Sequence, residues 1–395
     1  MNTDRGVWIP GCLAALSPRN DGVDGPRRHH QCHAGDVIRS SEGEPSMTKV
    51  SMIGLDLAKN VFQVHGIDAS GKVVVRQQLR RRQMEKFFAE LPPGVVVGME
   101  ACGGAHHWGR MLEKLGHEVR MMPPAYVKPY VKRNKNDGRD AEGICEAMGR
   151  PTMRFVPVKS AESQAVQALH RTRRLLVRQR TMTANAFRSA LSEFGMVAAQ
   201  GLKGLRSLME TVDDPASAIP EVARMPLQML ARQWERLNAD ICKLESEIVG
   251  AAKTDAVARR LMAIPGLGPI GATAILAAVP DARVFKSARD FAAWLGLTPR
   301  QFSTGGKQRS GGISKQGDRT LRTLLTVGAT SHLRYERARD TKDPWLQALL
   351  ARRPFKVAAV AYAAKMARII WAMLVTGEHY RVPNRGNSGS LQVAA

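Results

Sequence analysis

Residues 95–104 read V-V-V-G-M-E-A-C-G-G, an apolar run that ends on an acid and two glycines. A short apolar run of this kind predicts a central strand, buried on both faces, that ends at Glu100. Residues 50–57 repeat the pattern as V-S-M-I-G-L-D-L, which predicts a second buried strand ending at Asp56. Two such strands close together in the chain favour an α/β layered domain.

The segments around these two strands extend the layered pattern, and we assign residues 47–155 to one α/β domain. The hydrophobic pattern predicts further strands and helices at 61–67, 72–78 and 118–122 (strands) and at 84–91 and 106–115 (helices). Residues 1–46 are rich in Gly, Pro, Ser and His without a sustained period. We expect them to form a disordered extension.

The second half of the chain is predicted to be mainly helical. Residues 156–255 form a basic helical region whose apolar residues recur in alternating steps of three and four from Leu227 to Ile248. This seam is typical of a core helix in a bundle, of a helical hairpin, or of a coiled-coil linker between two chains. Residues 256–378 form a second compact unit with a Gly/Ser/Lys-rich loop, and residues 379–395 are expected to be a disordered tail.

The composition narrows the functional class. Lys and Arg total 59 and Asp and Glu total 35, so the formal net charge is 59 − 35 = +24. A hydrophobic content of 44% excludes a disordered polyelectrolyte, because such chains lack the residues for a core. A folded chain with this charge is expected to bind a polyanion, and nucleic acid comes before a membrane surface or an acidic protein.

Three further features argue for a cytosolic protein without a membrane span. Residues 261–280 carry no charge, but their glycines and prolines predict a buried turn between two short helices. The apolar stretch 357–371 is interrupted by Lys365 and Arg368. Five scattered cysteines without a C-x-x-C pair indicate neither a disulfide framework nor a zinc ribbon.

Four acids stand at positions suited to a metal site. Asp56 and Glu100 end predicted strands, and Asp137 and Asp140 begin a predicted helix in N-D-G-R-D-A, where a spacing of three places both on one face. Carboxylates are the preferred ligands of Mg²⁺, and paired Mg²⁺ ions can polarise a phosphodiester. The alternative is that the strand-end acids lie in ordinary loops and that Asp137 or Asp140 only caps its helix.

Residues 264–272, I-P-G-L-G-P-I-G-A, resemble the hairpin of helix-hairpin-helix DNA binders. In that interpretation Gly266 and Gly268 allow close approach of a backbone phosphate, and the following helix offers free N–H groups. The alternative is a packing joint between two helices.

Basic residues also crowd one helix and the Gly/Ser/Lys-rich loop, and we expect both to bind nucleic acid. The candidates are Arg171, Arg173, Arg174 and Arg178 on the helix and Arg300, Lys307, Arg309 and Lys315 in the loop. Ser303 lies between two of these cations, which could activate it as a nucleophile. The alternative is a flexible loop with inert serines, and no Ser-His-Asp arrangement is apparent.

These residues together resemble one family. Asp56, Glu100, Asp137 and Asp140, with their flanks, look like the DEDD tetrad of the bridge-RNA-guided insertion-sequence transposases. The segments P-R-Q-F-S-T-G-G-K and G-I-S-K-Q-G-D-R-T-L-R look like the second signature of the same family. The resemblance covers residues 47–376 and implies an RNase H-like (RuvC-like) N-terminal domain that binds Mg²⁺ through the four acids. It also implies that Ser303 is the nucleophile, with Thr304 as a rival and Ser310 and Ser314 as lesser ones.

The function that the resemblance implies is DNA recombination by a mobile element. Ser303 would attack DNA and form a phosphoserine intermediate, with a structured guide RNA pairing to donor and target double-stranded DNA. The family resemblance further implies a homo-oligomer, a dimer or tetramer, in the bacterial cytoplasm at the nucleoid. Two alternatives are a structure-specific nuclease of the Holliday-junction-resolvase type, using only the acids, and a non-enzymatic nucleic-acid-binding protein.

Overall fold

The computed structural model describes residues 49–131, 137–338 and 343–381. Its first unit is built on five strands: β1 (Met52–Asp56), β2 (Val61–Ile67), β3 (Val73–Arg80), β4 (Val96–Glu100) and β5 (Glu118–Met122). They form one mixed sheet in the order β3-β2-β1-β4-β5. The first three strands are antiparallel, whereas β1, β4 and β5 run parallel. The predicted extension at 1–46 lies outside the described residues, as does most of the predicted tail.

Helices cover both faces of this sheet. On one face lie α1 (Met84–Ala89) and α2 (Ala105–Lys114), where the rings of Phe62 and Trp108 pack 5.1 Å apart. On the other face lie α3 (Pro124–Val127) and α4 (Asp137–Met148). The predicted α/β domain is confirmed, and each predicted element of it lies within two residues of its observed bounds.

Three helices follow: α5 (Ala161–Ser192), α6 (Leu202–Asp213) and α7 (Glu221–Thr254). The helix α5 begins at a cap in which the Ser160 side chain accepts a hydrogen bond from the backbone N–H of Ser163. Arg173 pairs with Glu245, and Arg180 donates to Asn238 at 2.6 Å, so α5 and α7 run antiparallel. Most of the seam on α7 is buried. The seam therefore packs within the chain, in a helical hairpin with α5.

The last unit is mainly helical, as predicted. Its elements are α8 (Ala256–Leu261), α9 (Pro269–Ala278), α10 (Ala288–Trp294), β6 (Pro299–Thr304), β7 (Lys307–Ile313), α11 (Arg319–Arg337), α12 (Pro344–Arg352) and α13 (Phe355–Thr376). The helices share one core around Phe291, Leu325 and Ile370, whereas β6 and β7 lie outside it. The prediction of a loop after residue 296 is wrong for its central part, because β6 and β7 pair there as an antiparallel hairpin.

Among the described residues, α13 alone is long and apolar enough to cross a membrane. Its buried residues, which include Tyr362, Met366 and Ile370, pack in the core of the last unit. The uncharged residues 261–280 contain the predicted turn, which joins α8 to α9, and the whole of α9. Both apolar stretches therefore contribute to a protein core.

Candidate active site

Two glycines set the position of the acid site. Gly54 in β1 and Gly98 in β4 face α4, where a Cβ atom on Gly98 would lie 2.6 Å from the Met148 sulfur. Because side chains alternate along a strand, the residues two positions later point to the same side. These residues are Asp56 and Glu100. The two acids therefore end neighbouring parallel strands on the side of α4.

The helix α4 brings the other two predicted acids to the same edge. Ala141 and Cys145 pack over Gly54, so the first turn of α4, with Asp140, lies toward the ends of β1 and β4. Asp137 is the first residue of α4, and its side chain lies outside the described part of the structure.

The charges of two of the other acids act on Glu100. Burial raises the pKa of Glu100, and the charges of Asp56 and Asp140 raise it further. The pKa of the nearby Cys102 thiol is also raised, first by burial and then by the charges of Glu100 and Asp56. Carboxylates that disfavour one another's charge in this way are suited to holding a cation.

The donor chemistry of this acid site fits a hard divalent cation, since carboxylate oxygens are the ligands such ions prefer. Among the described side chains, no three acids, histidines or cysteines lie close enough together to form a ready-made metal site. Asp56, Glu100 and Asp140, with Asp137 at the start of the same helix, are the residues that could hold such an ion.

Ser303 lies on the hairpin of β6 and β7. Gly305 and Gly306 join the strands, and both have the positive φ that a two-residue turn of type I′ requires. All residues of β6 and nearly all of β7 are exposed. Ser303 pairs with Gln308, whereas Thr304 pairs with Lys307. The two rival nucleophiles therefore lie on opposite faces of an exposed hairpin.

The cations of the hairpin share the face of Thr304. Phe302 pairs with Arg309 across the strands, and Arg300 and Phe302 both lie against Gly311. Phe302 is 57% exposed in the middle of this basic face. The sequence placed Ser303 between Arg300 and Lys307, but within the hairpin these cations lie on the face opposite to that of Ser303. Arg300 also donates to the Ser314 carbonyl at 3.1 Å.

The predicted arginines of α5 divide into two sets. Arg173 is held by the carboxylate of Glu245, with its Nε 2.8 Å from Oε1, and so joins α5 to α7. Arg174 donates to the Thr320 hydroxyl at the start of α11. Arg171 and Arg178 are exposed on α5. The structure thus gives Arg173 a role within the fold and leaves Arg171 and Arg178 open to a ligand.

The turn between α8 and α9 is held from two sides. A Cβ atom on Gly328 of α11 would lie 2.0 Å from the carbonyl oxygen of Gly266, so the two backbones touch. The Tyr362 hydroxyl donates to the Pro265 carbonyl at 3.2 Å. Gly268 has open space at the Cβ position. Packing against α11 therefore accounts for Gly266, and close phosphate approach stays a prediction for both glycines.

The remaining predicted residues of the second signature lie near the hairpin. Lys307 and Arg309 are exposed on β7, and Lys315 follows that strand with a positive φ of 57°.

Gly54 and Gly98 are the functional positions that the sequence reasoning missed. The signal was present, because a glycine stands two residues before the acid in both G-L-D and G-M-E.

Models of known protein families match both the segment that carries the acids and the segment that carries the hairpin of Ser303. A model described as "Transposase IS116/IS110/IS902 family" matches residues 258–345, and a transposase model of the DEDD type from IS110 elements matches residues 53–196.

Three curated relatives are similar over most of their length. A "Probable family 20 transposase" of Pseudomonas aeruginosa is 52% identical over 336 residues, which cover 84% of this chain and 99% of the relative. The transposase for insertion sequence element IS1111A of Coxiella burnetii is 42% identical, over 85% of this chain and 93% of the relative. The transposase for insertion sequence element IS1328 of Yersinia enterocolitica is 40% identical, over 84% and 98%.

Proposed function

The chain belongs to the IS116/IS110/IS902 family of insertion-sequence transposases, enzymes that cleave and rejoin DNA, and from this premise we propose a mechanism for it. In the proposed reaction Ser303 is the nucleophile and the DEDD acids Asp56, Glu100, Asp137 and Asp140 bind Mg²⁺. The mixed sheet that carries the acids supports an RNase H-like (RuvC-like) domain. Transposase domains of the DEDD type typically use a divalent metal.

The observation that carries the proposal is the separation of two reactive groups. Asp56, Glu100 and Asp140 converge on the first unit, whereas Ser303 stands exposed on a hairpin of the last unit. Each group lies in a segment matched by its own transposase model. An exposed hydroxyl on a hairpin can reach a phosphate that is held by acids elsewhere, in the same subunit or in another.

The proposed reaction exchanges one phosphate ester for another. The Ser303 oxygen bonds to the scissile phosphorus, one ester bond of the DNA strand breaks, and the departing sugar oxygen takes up a proton. In the reverse direction a strand hydroxyl attacks the phosphoserine, so Ser303 is released and its proton restored. Bound Mg²⁺ would polarise the scissile phosphate and stabilise the charge on its oxygens. The number of ester bonds is unchanged, so no ATP is needed.

The partners we propose are donor and target double-stranded DNA and a structured guide RNA. Exposed cations on α5 and on the hairpin, such as Arg178 and Arg309, supply the charge for binding phosphates. We propose a homo-oligomer, a dimer or tetramer, that acts on the nucleoid in the bacterial cytoplasm. Because the seam of α7 packs on α5 within the chain, the oligomer is supported by the family resemblance and not by that seam.

The decisive experiment incubates purified protein with its flanking RNA and with donor and target DNA, and resolves the products on denaturing gels. We expect a covalent protein–DNA adduct with the wild type and with Thr304→Ala, and none with Ser303→Ala or Asp56→Ala. Thr304 is the matched control, because it is an equally exposed hydroxyl on the opposite face of the same hairpin. Strand cleavage by Ser303→Ala would instead favour a nuclease that uses only the acid site.

A further inference from the structure

A cluster of basic side chains joins the first unit to α5. His106 and Arg110 lie on α2, Lys159 lies just before α5, and Arg171 lies on α5. The backbone N–H of Lys159 donates to His106 Nδ1 at 3.2 Å. Arg110 Nη1 donates to the Lys159 carbonyl and to Gln164 Oε1, both at 2.6 Å. Hydrogen bonds therefore fix the position of Lys159 against two helices.

The charges of this cluster repel one another. Burial, followed by the charges of Lys159, Arg110 and Arg171 in that order of effect, lowers the pKa of His106 to about 4. Burial also lowers the pKa of Lys159, followed by the charge of Arg171. The charges of Lys159, Arg110 and Arg171 thus all act on the half-buried ring of His106. His106 is neutral there at pH 7, and because its Nδ1 accepts a hydrogen bond, its Nε2 carries the proton.

Asp318 is the acid that opposes this charge at Lys159. Its carboxylate also caps α11, where Oδ1 accepts hydrogen bonds from the backbone N–H groups of Thr320 and Leu321 at 2.6 and 3.0 Å. The charge of Arg110 is opposed by two further acids, Glu113 and Glu162. Asp318 alone opposes Lys159, so the pair of Lys159 and Arg171 keeps a net positive charge. The space beside Lys159 and Arg171 therefore suits a further anion.

The location of the cluster indicates that the anion is a phosphate of DNA. Residues 101–104 alone connect Glu100 to the start of α2, so the Cα atoms of Glu100 and Ala105 are at most about 18 Å apart. The first residue of α2 thus lies within about 18 Å of Glu100, and the cluster begins at the next residue of that helix. Asp318 and Thr320 also belong to the second signature, and Arg174 holds Thr320 against α5. A DNA strand that runs from the acid site toward the hairpin would pass this junction.

We propose that Lys159, Arg171 and the Nε2–H of His106 bind a backbone phosphate of the DNA strand that enters the acid site. The inference rests on the proposed function, because it takes DNA as the polyanion. Arg110 acts as a positioning residue, since both of its hydrogen bonds hold Lys159 and α5 in place. The site orients the strand a few nucleotides from the scissile phosphate, and it contacts no base.

Protection from chemical modification tests the site directly. Full-length protein is treated with an amine-acetylating reagent, alone, with donor duplex, with the flanking RNA, or with inorganic phosphate at matched ionic strength. Acetylation at each lysine is read by mass spectrometry. We expect the duplex to lower acetylation of Lys159 several-fold, while Lys114, exposed at the far end of α2, changes little. Inorganic phosphate and RNA alone should protect Lys159 less than the duplex.

Variants give a second measurement. Lys159→Gln keeps the backbone hydrogen bonds, so we expect it to fold, with an unchanged melting temperature as the check. The slope of its DNA affinity against salt should fall by about one unit, and Lys159→Arg should restore it. Lys114→Gln is the matched control, since it removes the same charge from an exposed site on the same unit.

Each other outcome overturns the inference. If the duplex binds but Lys159 stays as reactive as before, the phosphate contact does not exist. Equal protection by RNA alone assigns the site to RNA, and equal protection by inorganic phosphate assigns it to free anions. Failure of the proposed function is seen separately, as a missing Ser303-dependent adduct on a denaturing gel. A chain that binds no DNA at all overturns both.

Discussion

A Cβ atom on Gly54 would lie 2.1 Å from the carbonyl oxygen of Ala141, so β1 and α4 touch backbone to backbone. This contact brings the first turn of α4 to the end of β1, where Asp56 stands. A second glycine, Gly98, plays the same part beneath Met148, two residues before Glu100. The spacing of the acid site is therefore set by two residues that carry no functional group.

The first prediction is that Gly54→Ala disrupts the acid site and the stability of the first unit. The added methyl would collide with the backbone of α4, which cannot move away as a flexible side chain could. The loss in the free energy of unfolding should therefore exceed the roughly 1–3 kcal/mol of an ordinary overpacked core. Chemical denaturation measures it. Gly250→Ala on α7 is the control, because its Cβ position is open and alanine favours a helix. Equal stability of Gly54→Ala and wild type would contradict the close packing.

The second prediction concerns the crowded carboxyl of Glu100. Burial and the charges of Asp56 and Asp140 raise its pKa, so its ionised form destabilises the fold. Glu100→Gln should therefore melt at a higher temperature than wild type at pH 7 without metal. The difference should shrink as the pH falls below the raised pKa and vanish below the ordinary pKa of a glutamate, because Glu100 of the wild type is then as uncharged as glutamine.

Added Mg²⁺ should reverse this order. A cation relieves the repulsion in the wild type, so its melting temperature should rise more than that of Glu100→Gln. Glu85→Gln, which removes an exposed acid from α1, is the control and should respond to Mg²⁺ as the wild type does. A lower melting temperature for Glu100→Gln without metal would show that the carboxylates do not repel one another.

The sequence predicted the first unit well because each of its elements has a strong hydrophobic period. The strands β2 and β5 have their predicted bounds, 61–67 and 118–122. The hairpin of β6 and β7 was predicted as loop because both of its faces are polar and exposed, so no apolar alternation marks it. Twin glycines at 305 and 306 were the local signal for its turn.

The candidate site was predicted in its parts but not in its arrangement. Asp56, Glu100 and Asp140 could be recognised because acids at strand ends and at a helix start follow from local patterns. The face on which Ser303 points depends on the register of the hairpin, which the sequence does not reveal. The meeting of Lys159 with His106 and Asp318 is a tertiary contact between distant segments, and no local pattern carries it.

The third prediction is a pH dependence of stability that comes from His170. This buried ring lies 3.0 Å from the Thr273 hydroxyl, and burial lowers its pKa to about 4. Between pH 6.5 and 4 this histidine is protonated in the unfolded chain but stays neutral in the native protein. The free energy of unfolding therefore falls on acidification, by on the order of 3 kcal/mol for this group.

His170→Gln keeps a polar partner for Thr273 but does not titrate. Its free energy of unfolding should therefore fall less steeply than that of the wild type between pH 6.5 and 4, as measured by denaturant titration. His107→Gln, at an exposed ring on α2, should keep the wild-type slope. Identical slopes for His170→Gln and wild type would show that this histidine is not held neutral.

The last prediction separates packing from phosphate binding in the turn between α8 and α9. A Cβ atom on Gly328 would lie 2.0 Å from the Gly266 carbonyl oxygen, so Gly328→Ala should strongly destabilise the last unit. Gly268 has open space at Cβ and an extended backbone with φ of −91°, which any residue adopts. Gly268→Ala should therefore melt like the wild type.

The two variants should also differ in DNA binding. If the Gly268 backbone approaches a phosphate, the added methyl occupies part of that space, and the affinity for duplex DNA by fluorescence anisotropy should fall at unchanged stability. Unchanged affinity would make the turn a packing joint only, because Gly266 is already explained by its contact with α11. Gly266 would then be required only by its contact with Gly328, and the Tyr362 hydroxyl would hold the turn through Pro265.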